Sequence, residues 1–148
     1  MVTMADIETE ASELEDEIAR LEGEIERLPE DEPENTREVL GEQRDALADK
    51  LEPLEDFVRI VAQAGIDDDA VDAALDCSRG DLAQAGMLVH YGVNSYGSVR
   101  EYGESMAEGM GDQIGSFYNY IDFEAYGNDC LADVDYHEFE GRIYVFMT

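Results

Sequence analysis

The sequence is poor in lysine, tryptophan and cysteine. Lys50 is the single lysine among nine basic residues, and none of the 148 residues is tryptophan. The two cysteines, Cys77 and Cys130, belong to no C-x-x-C pair, so neither a zinc site nor a disulfide framework is indicated. We interpret both as small core residues of a protein in a reducing cytosol.

Motifs of catalysis and of membrane insertion are also missing. The chain has no P-loop, no H-E-x-x-H and no G-x-S-x-G, and His90 and His137 are its only histidines. We therefore predict a protein that is not an enzyme and needs no cofactor or metal.

No window approaches the roughly 20 apolar residues of a bilayer span. The N-terminus lacks the features of a signal peptide, so we expect a cytoplasmic protein, in the host's cytoplasm if a virus or plasmid encodes it.

Acidic residues are what the chain has in excess: 38 carboxylates against nine bases give a formal charge of -29. One explanation is the solvated coat of a protein from a halophile's cytosol. The other is nucleic-acid mimicry, since 29 charges correspond to roughly 50 Å of duplex DNA at about one charge per 1.7 Å. Under either explanation, like charges oppose direct binding to nucleic acid or to an anionic membrane.

The N-terminal third carries a heptad pattern. Its apolar positions are spaced alternately by four and three residues, which predicts an amphipathic helix that ends near Leu28, before Pro29. A second helix is expected from an N-cap at Asn35 or Thr36, so residues 1–52 form an antiparallel coiled-coil hairpin. A two-helix seam leaves apolar surface for a partner copy, which favours a homo-oligomer, most simply a dimer. The predicted oligomer seam is Ile7, Leu14, Ile18, Leu21, Ile25 and Leu28.

Pro53 is expected to kink the second helix or to begin a new one, and we place a domain boundary there. After this boundary the sequence predicts several short helices, which together form a small bundle over residues 53–116. Residues 117–148 are rich in Tyr and Phe, as a small packed unit would be, and predict a helix from Asp122 to about Leu131. Strands 134–139 and 142–147, joined by Glu140 and Gly141, follow as a hairpin. The predicted class is α+β, mainly helical.

Several strings in the second half follow a recognisable order: D-C-S-R-G-D-L-A-Q-A at 76–85, S-V-R-E-Y-G at 98–103, Y-I-D-F-E-A-Y-G-N-D at 120–129 and I-Y-V-F at 143–146. Together they resemble the antirestriction family ArdA, over roughly residues 54–147. The resemblance implies an elongated acidic dimer that mimics bent B-form DNA and occupies the DNA-binding groove of type I restriction-modification enzymes. Residues 1–52 lie outside it, with the hairpin in place of the family's small first sheet domain.

A DNA mimic needs carboxylates held on rigid elements at phosphate-like spacing, and acids four residues apart on a helix are about 6 Å apart along its axis. The expected partner is a DNA-binding restriction-modification complex. The alternative is an adaptor or structural protein that keeps the ArdA-like fold and assembles through the hairpin. The spacing of the acids after Asp129 is not that of an EF-hand. The candidate mimic carboxylates beyond the hairpin are Asp122, Glu124, Asp129, Asp133, Asp135 and Glu138.

Overall fold

A computed structural model describes residues 1–147; Thr148, the last residue of the expected C-terminal unit, lies outside the described range. The protein is mainly helical with one small antiparallel sheet, so the predicted class is confirmed. In chain order the elements are α1 (Met4–Glu26), α2 (Glu34–Ala64), α3 (Asp68–Cys77), α4 (Leu82–Tyr91), β1 (Val93–Tyr96), α5 (Val99–Met110), 3₁₀ helices at Gly111–Gln113 and Gly115–Tyr120, α6 (Phe123–Leu131), β2 (Asp135–Phe139) and β3 (Arg142–Phe146).

Helix α1 begins before the first heptad position because Thr3 and Asp6 form a capping box. The Thr3 hydroxyl accepts from the Asp6 amide at 3.2 Å, and the Asp6 carboxylate accepts from the Thr3 amide at 2.9 Å. The helix ends at Glu26, two residues short of the predicted Leu28. The predicted helix is thus confirmed, with an N-terminal turn that the heptad pattern did not include.

Helix α2 begins at Glu34, directly after Pro33, so the predicted caps Asn35 and Thr36 are wrong. Pro33 is the N-cap residue, with an extended ψ of 133°, and the Thr36 amide donates to its carbonyl at 3.0 Å. The helix then runs without interruption through Pro53, so no new helix begins there.

The two long helices are antiparallel, as predicted. A groove of about 350 Å³ between them is lined by Ala11 and Ser12 near the start of α1 and by Val58 and Ala62 near the end of α2. The Met4 amide also donates to a carboxylate oxygen of Asp72 on α3 at 2.6 Å. The base of the hairpin therefore packs into the rest of the molecule.

The later helices begin at side-chain caps. Ser98 accepts from the Glu101 amide at 3.1 Å, whereas the Glu101 carboxylate accepts from Gly97 at 2.6 Å rather than from Ser98 itself. The second bond of a capping box, from the helix's third residue back to the cap, is thus made one residue earlier, at Gly97. Helix α4 begins after Asp81, whose carboxylate accepts from the Gln84 amide at 3.1 Å. The side chains that cap α3 to α6 are Asp67, Asp81, Ser98 and Asp122.

The sheet has the order β1-β3-β2 and is antiparallel throughout. The hairpin of β2 and β3 is confirmed, and Glu140 and Gly141 both have positive φ, 47° and 76°, as a tight type I′ turn requires. Strand β1 was not predicted. It pairs Val93 with Phe146 and Tyr96 with Ile143, which places the central strand between two partners.

Strand β3 is buried on both faces and divides the core into two clusters. Tyr144 and Phe146 pack with residues of α1 to α4, and Ile143 and Val145 pack with Tyr102 of α5 and residues of α6. A strand that is buried on both faces usually consists of consecutive apolar residues. The I-Y-V-F sequence at 143–146 has this composition. The sheet is therefore a middle layer between helices. The division at 1–52, 53–116 and 117–148 stays a prediction.

Candidate interaction surface

The six predicted carboxylates beyond the hairpin are all exposed, on α6, on the turn after it and on β2. Asp122 caps α6, and its carboxylate accepts from the Ala125 amide at 3.1 Å. Glu124 lies in the first turn of α6, where the helix dipole favours negative charge. Asp129 lies near the end of that helix and Asp133 in the turn that follows. Asp122, Glu124 and Asp129 are thus positioned by α6 and its cap, and Asp133 by the turn that follows.

The structure does not bring the six together on one face. Glu124 and Asp129 are five positions apart on α6, which is about 140° around a helix with 3.6 residues per turn. On β2, Asp135 pairs with Phe146 while Glu138 pairs with Ile143, so their side chains extend from opposite faces of the sheet. A partner that contacts one part of the set does not contact all of it.

The region of Asp135 is joined to α3 by a polar contact that sequence reasoning missed. Nε2 of His137 lies 2.7 Å from a carboxylate oxygen of Asp76, and both side chains are part-buried. Burial raises the pKa of the neighbouring Cys77 thiol, and the Asp135 and Asp76 carboxylates raise it further. No local sequence signal marks this contact, because the two partners come from distant parts of the chain.

A row of carboxylates on α2 also escaped the sequence interpretation. Its members are spaced by four and three residues in alternation, and each of five precedes an apolar position by two residues, which puts it on the side of α2 opposite the hairpin interior. The signal was present in the sequence as a second heptad pattern, made of acids. We call this set the α2 acid stripe: Glu38, Glu42, Asp45, Asp49, Glu52 and Asp56.

The stripe is a dense linear charge. Its 18-residue span corresponds to about 27 Å at 1.5 Å per residue, or about one carboxylate per 5 Å. One strand of duplex DNA carries a phosphate every 3.4 Å along the axis, so the two charge densities are comparable. Ion pairs from Arg44 to Asp45 and from Arg59 to Asp56, at 3.1 and 2.6 Å, offset part of the charge. Both pairs are exposed and therefore weak.

Helix α1 carries a shorter version of the same pattern. Arg20 occupies one position of its acid row and contacts both neighbours, at 3.8 Å to Glu17 and 2.9 Å to Glu24. That arginine divides the row and lowers its charge. The α2 acid stripe is thus the longer uninterrupted row of the hairpin.

The aromatic segment before α6 is packed only in part, contrary to the expected packed unit. The Tyr118 ring packs on the buried Phe123 ring, with centroids 5.0 Å apart. Phe117 and Tyr120, however, are 71% and 86% exposed. Local sequence could not distinguish the inward ring from the outward ones, because all three belong to one short 3₁₀ helix.

The predicted oligomer seam is largely covered within one chain. Ile7 and Leu21 are buried, and Leu14 and Ile18 are half-buried against the core. Ile25 and Leu28 are half-buried as well. The seam therefore serves first as the interior of the hairpin. Assembly through it stays a prediction.

The described residues contain no group of three His, Cys, Asp or Glu side chains arranged to hold a metal ion. Over residues 1–147, no helix combines the length and the apolar character that crossing a bilayer requires.

Comparison with known proteins gives one result that covers nearly the whole chain. The family model described as antirestriction protein (ArdA) matches residues 3–145. No curated protein sequence and no solved structure matches significantly. The match begins at the cap of α1, so the expectation that residues 1–52 lie outside the family likeness is wrong, and the hairpin belongs to the matched region. The chain is thus a member of the ArdA family of antirestriction proteins.

Proposed function

We propose that this protein blocks restriction by occupying the DNA-binding groove of a type I restriction-modification enzyme, with its carboxylates in the places of DNA phosphates. The observation that supports it most is the α2 acid stripe, a row of charge on the outward side of a helix. The family match supplies the antirestriction context. The row is the proposed mimic surface of the hairpin, whereas the six carboxylates around α6 and β2 do not share one face, so a single groove would contact only part of that set.

Rigidity supports the proposal as much as charge does. A flexible acidic segment loses conformational entropy when it binds, whereas carboxylates on preformed helices lose little. Glu42, Asp49 and Glu52 stand on a helix of 31 residues whose inner face packs in the hairpin. These three form none of the ion pairs found in the described residues, so they are available to lysine and arginine side chains of a partner.

Salt sets a condition on the proposed binding. The Debye length is about 3 Å at 1 M salt, so in a halophile's cytosol long-range attraction between the acidic surface and a basic groove is almost absent. Binding there depends on ion pairs at contact distance and on a close fit of the two surfaces. The test must therefore be made at low and at high salt.

The experiment is competition for DNA. The full chain is titrated into a complex of duplex DNA with a type I methyltransferase core of the same host, and the displaced DNA is measured by fluorescence anisotropy. We expect displacement by the unmodified protein. Neutralising part of the stripe, with Glu42→Gln, Asp49→Asn and Glu52→Gln, should weaken displacement by about tenfold at low salt, as loss of buried or contact charge pairs does.

A matched control removes the same charge elsewhere. Glu30→Gln, Asp31→Asn and Glu32→Gln neutralise three carboxylates in the turn between α1 and α2, off the stripe. This variant should displace DNA nearly as well as the unmodified protein. Equal losses in the two triple variants would mean that only net charge matters, and no displacement by the unmodified protein would exclude the proposed function.

A further inference from the structure

The outer part of the α1–α2 hairpin contains no buried residue. The last buried side chain of α1 is Leu21, and the first of α2 is Leu51. The structure describes every residue between them, and each is half-buried or exposed. Segments that bury little apolar surface open locally at a lower free energy than the rest of a protein. We call residues 22–50 the outer arm.

The outer arm carries most of the α2 acid stripe. Four of the six stripe residues lie on it: Glu38, Glu42, Asp45 and Asp49. The tip of the arm is acidic as well, because four of the five residues at 30–34 are Asp or Glu. Like charges at the tip oppose the close approach of the two helix ends. Much of the proposed mimic surface is therefore carried by the part of the hairpin that packing secures least.

One arginine closes the arm at its tip. Arg37 lies in the first turn of α2, and its Nη2 donates to the carbonyl oxygens of Leu28 at 3.2 Å and of Pro29 at 3.1 Å, just past the end of α1. No basic residue lies in the last turn of α1. The guanidinium of Arg37 thus binds main-chain oxygens at the negative end of that helix's dipole.

Arg37 differs from the arginines that bind acids. Within residues 1–147, each of those binds a carboxylate on its own helix, at most four positions away: Arg20, Arg44, Arg59 and Arg100. Arg37 instead reaches back nine residues to Leu28 and eight to Pro29. Its two hydrogen bonds therefore connect the start of α2 to the turn that follows α1.

We infer that Arg37 is a positioning residue, which keeps the outer arm closed so that its four stripe carboxylates are in place before the target binds. This inference rests on the proposed function and adds to it a residue that does not itself contact the target. Binding weakens as the fraction of molecules in the binding-competent conformation falls. A side chain that raises this fraction strengthens binding, even when its own charge is opposite to that of the stripe.

The sign of the effect separates positioning from charge. Loss of an arginine makes the protein more negative, and charge alone would then strengthen binding to a basic groove. Loss of Arg37 weakens binding under the inference. The matched control is Arg27→Ala, which makes the same change of charge at the same turn. The arginine hydrogen bonds and ion pairs found in residues 1–147 do not include the side chain of Arg27.

The first measurement is amide hydrogen exchange of the full chain. Arg37→Ala should speed exchange in the outer arm about fivefold, the effect of losing a hydrogen bond with a net contribution near 1 kcal/mol. Exchange around the buried Phe57, in the base of the hairpin, should not change. Arg37→Lys keeps a cation near the same carbonyls and should have a smaller effect, whereas Arg27→Ala should have none.

The second measurement is the DNA-displacement assay at low salt. Arg37→Ala should displace DNA about threefold less well than the unmodified protein, through the smaller competent fraction. Arg27→Ala should displace it at least as well as the unmodified protein. A further variant neutralises the stripe on the outer arm, with Glu38→Gln, Glu42→Gln, Asp45→Asn and Asp49→Asn. In that background Arg37→Ala should cause no further loss, because Arg37 acts through those four carboxylates.

Unchanged exchange in the outer arm of Arg37→Ala overturns the inference, as does faster exchange with undiminished displacement. An equal loss for Arg27→Ala overturns it because net charge would then be the cause. An equal further loss in the neutralised background overturns it because Arg37 would then act through another surface. If the unmodified protein displaces no DNA, the proposed function fails and the positioning role with it, whereas the exchange measurement still shows whether Arg37 closes the arm.

Discussion

The backbones of Gly103 on α5 and Gly127 on α6 are in contact, and each helix approaches because the other residue has no side chain. A Cβ atom on Gly103 would overlap the Phe123 carbonyl oxygen and lie 2.9 Å from the Gly127 nitrogen. A Cβ atom on Gly127 would overlap the Val99 carbonyl oxygen. The atoms that would have to move are main-chain atoms, so the contact has little freedom to adjust.

Substitution of Gly127 by alanine should destabilise the protein. Forcing a methyl group between two helix backbones requires the helices to separate, which we expect to cost about 3 kcal/mol, at the upper end for overpacking. The measurement is the free energy of unfolding by denaturant at constant salt. Gly109→Ala on α5 is the control: nothing lies within 4 Å of its Cβ position, so it should stabilise by up to about 1 kcal/mol through helix propensity. Equal stability of Gly127→Ala and the unmodified protein would contradict the close helix contact.

The His137 and Asp76 side chains should be energetically coupled. Their 2.7 Å contact joins β2 to α3 in a part-buried position, and such a hydrogen bond contributes about 1 kcal/mol net. A double-mutant cycle with His137→Ala and Asp76→Ala isolates this coupling. A coupling near zero would show that the two side chains pack independently. His90→Ala, an exposed histidine on α4, serves as the control with little expected change.

The capping box of α1 should make the stability of that helix depend on pH. The backbone amide of Thr3 bonds the Asp6 carboxylate and lowers its pKa, and the Thr3 hydroxyl lowers it further. A carboxylate with a lowered folded-state pKa contributes stability above its ordinary pKa and loses that contribution as the pH falls through the lowered value. Asp6→Asn should therefore destabilise the protein at neutral pH and make little difference in strong acid. Unfolding curves over this pH range, with exposed Glu8→Gln as the matched control, test the trend.

The hairpin seam should support folding of the single chain before any assembly. Ile7 is 1% exposed in the core of one protomer, so Ile7→Ala should cost about 2–5 kcal/mol of unfolding free energy. Val39→Ala, at a 43% exposed position on α2, should change stability by less than about 0.5 kcal/mol. Sedimentation of both variants separates the two roles. If Ile7→Ala changes only the assembled mass and not the stability, the seam acts between copies rather than within one.

Sequence periodicity predicted the parts of the fold whose contacts are local. The 4-3 spacing of apolar residues predicts α1 and α2 because residues that share a helix face are neighbours in the same helix. The start of α6 at Asp122 and the Glu140–Gly141 turn were predicted for the same reason, since each is decided within about four residues. The α2 acid stripe is equally local, because its members share one face of a single helix.

The candidate site was predicted less well than the fold. Exposure of the six carboxylates follows from their charge, but their distribution over both faces of β2 depends on the pairing of that strand with β3. The sequence also could not show that His137 meets Asp76. The resemblance to the ArdA family was correct, but the matched region is longer than predicted. The heptad pattern of residues 1–52 indicated a coiled coil and gave no sign that these residues belong to the family.

By itself, the sequence determined the acidic character, the long amphipathic hairpin and the mainly helical class, all of which depend on composition and on spacing along one element. Only the tertiary structure decided that β1 is a strand, since its four residues carry no strong strand signal and pair with β3 from a distant part of the chain. The tertiary structure also decided that Tyr118 faces inward while Tyr120 faces solvent. The close contact between Gly103 and Gly127 was likewise decided by how α5 packs on α6. These outcomes depend on contacts between elements far apart in sequence, and no local pattern of residues specifies such contacts.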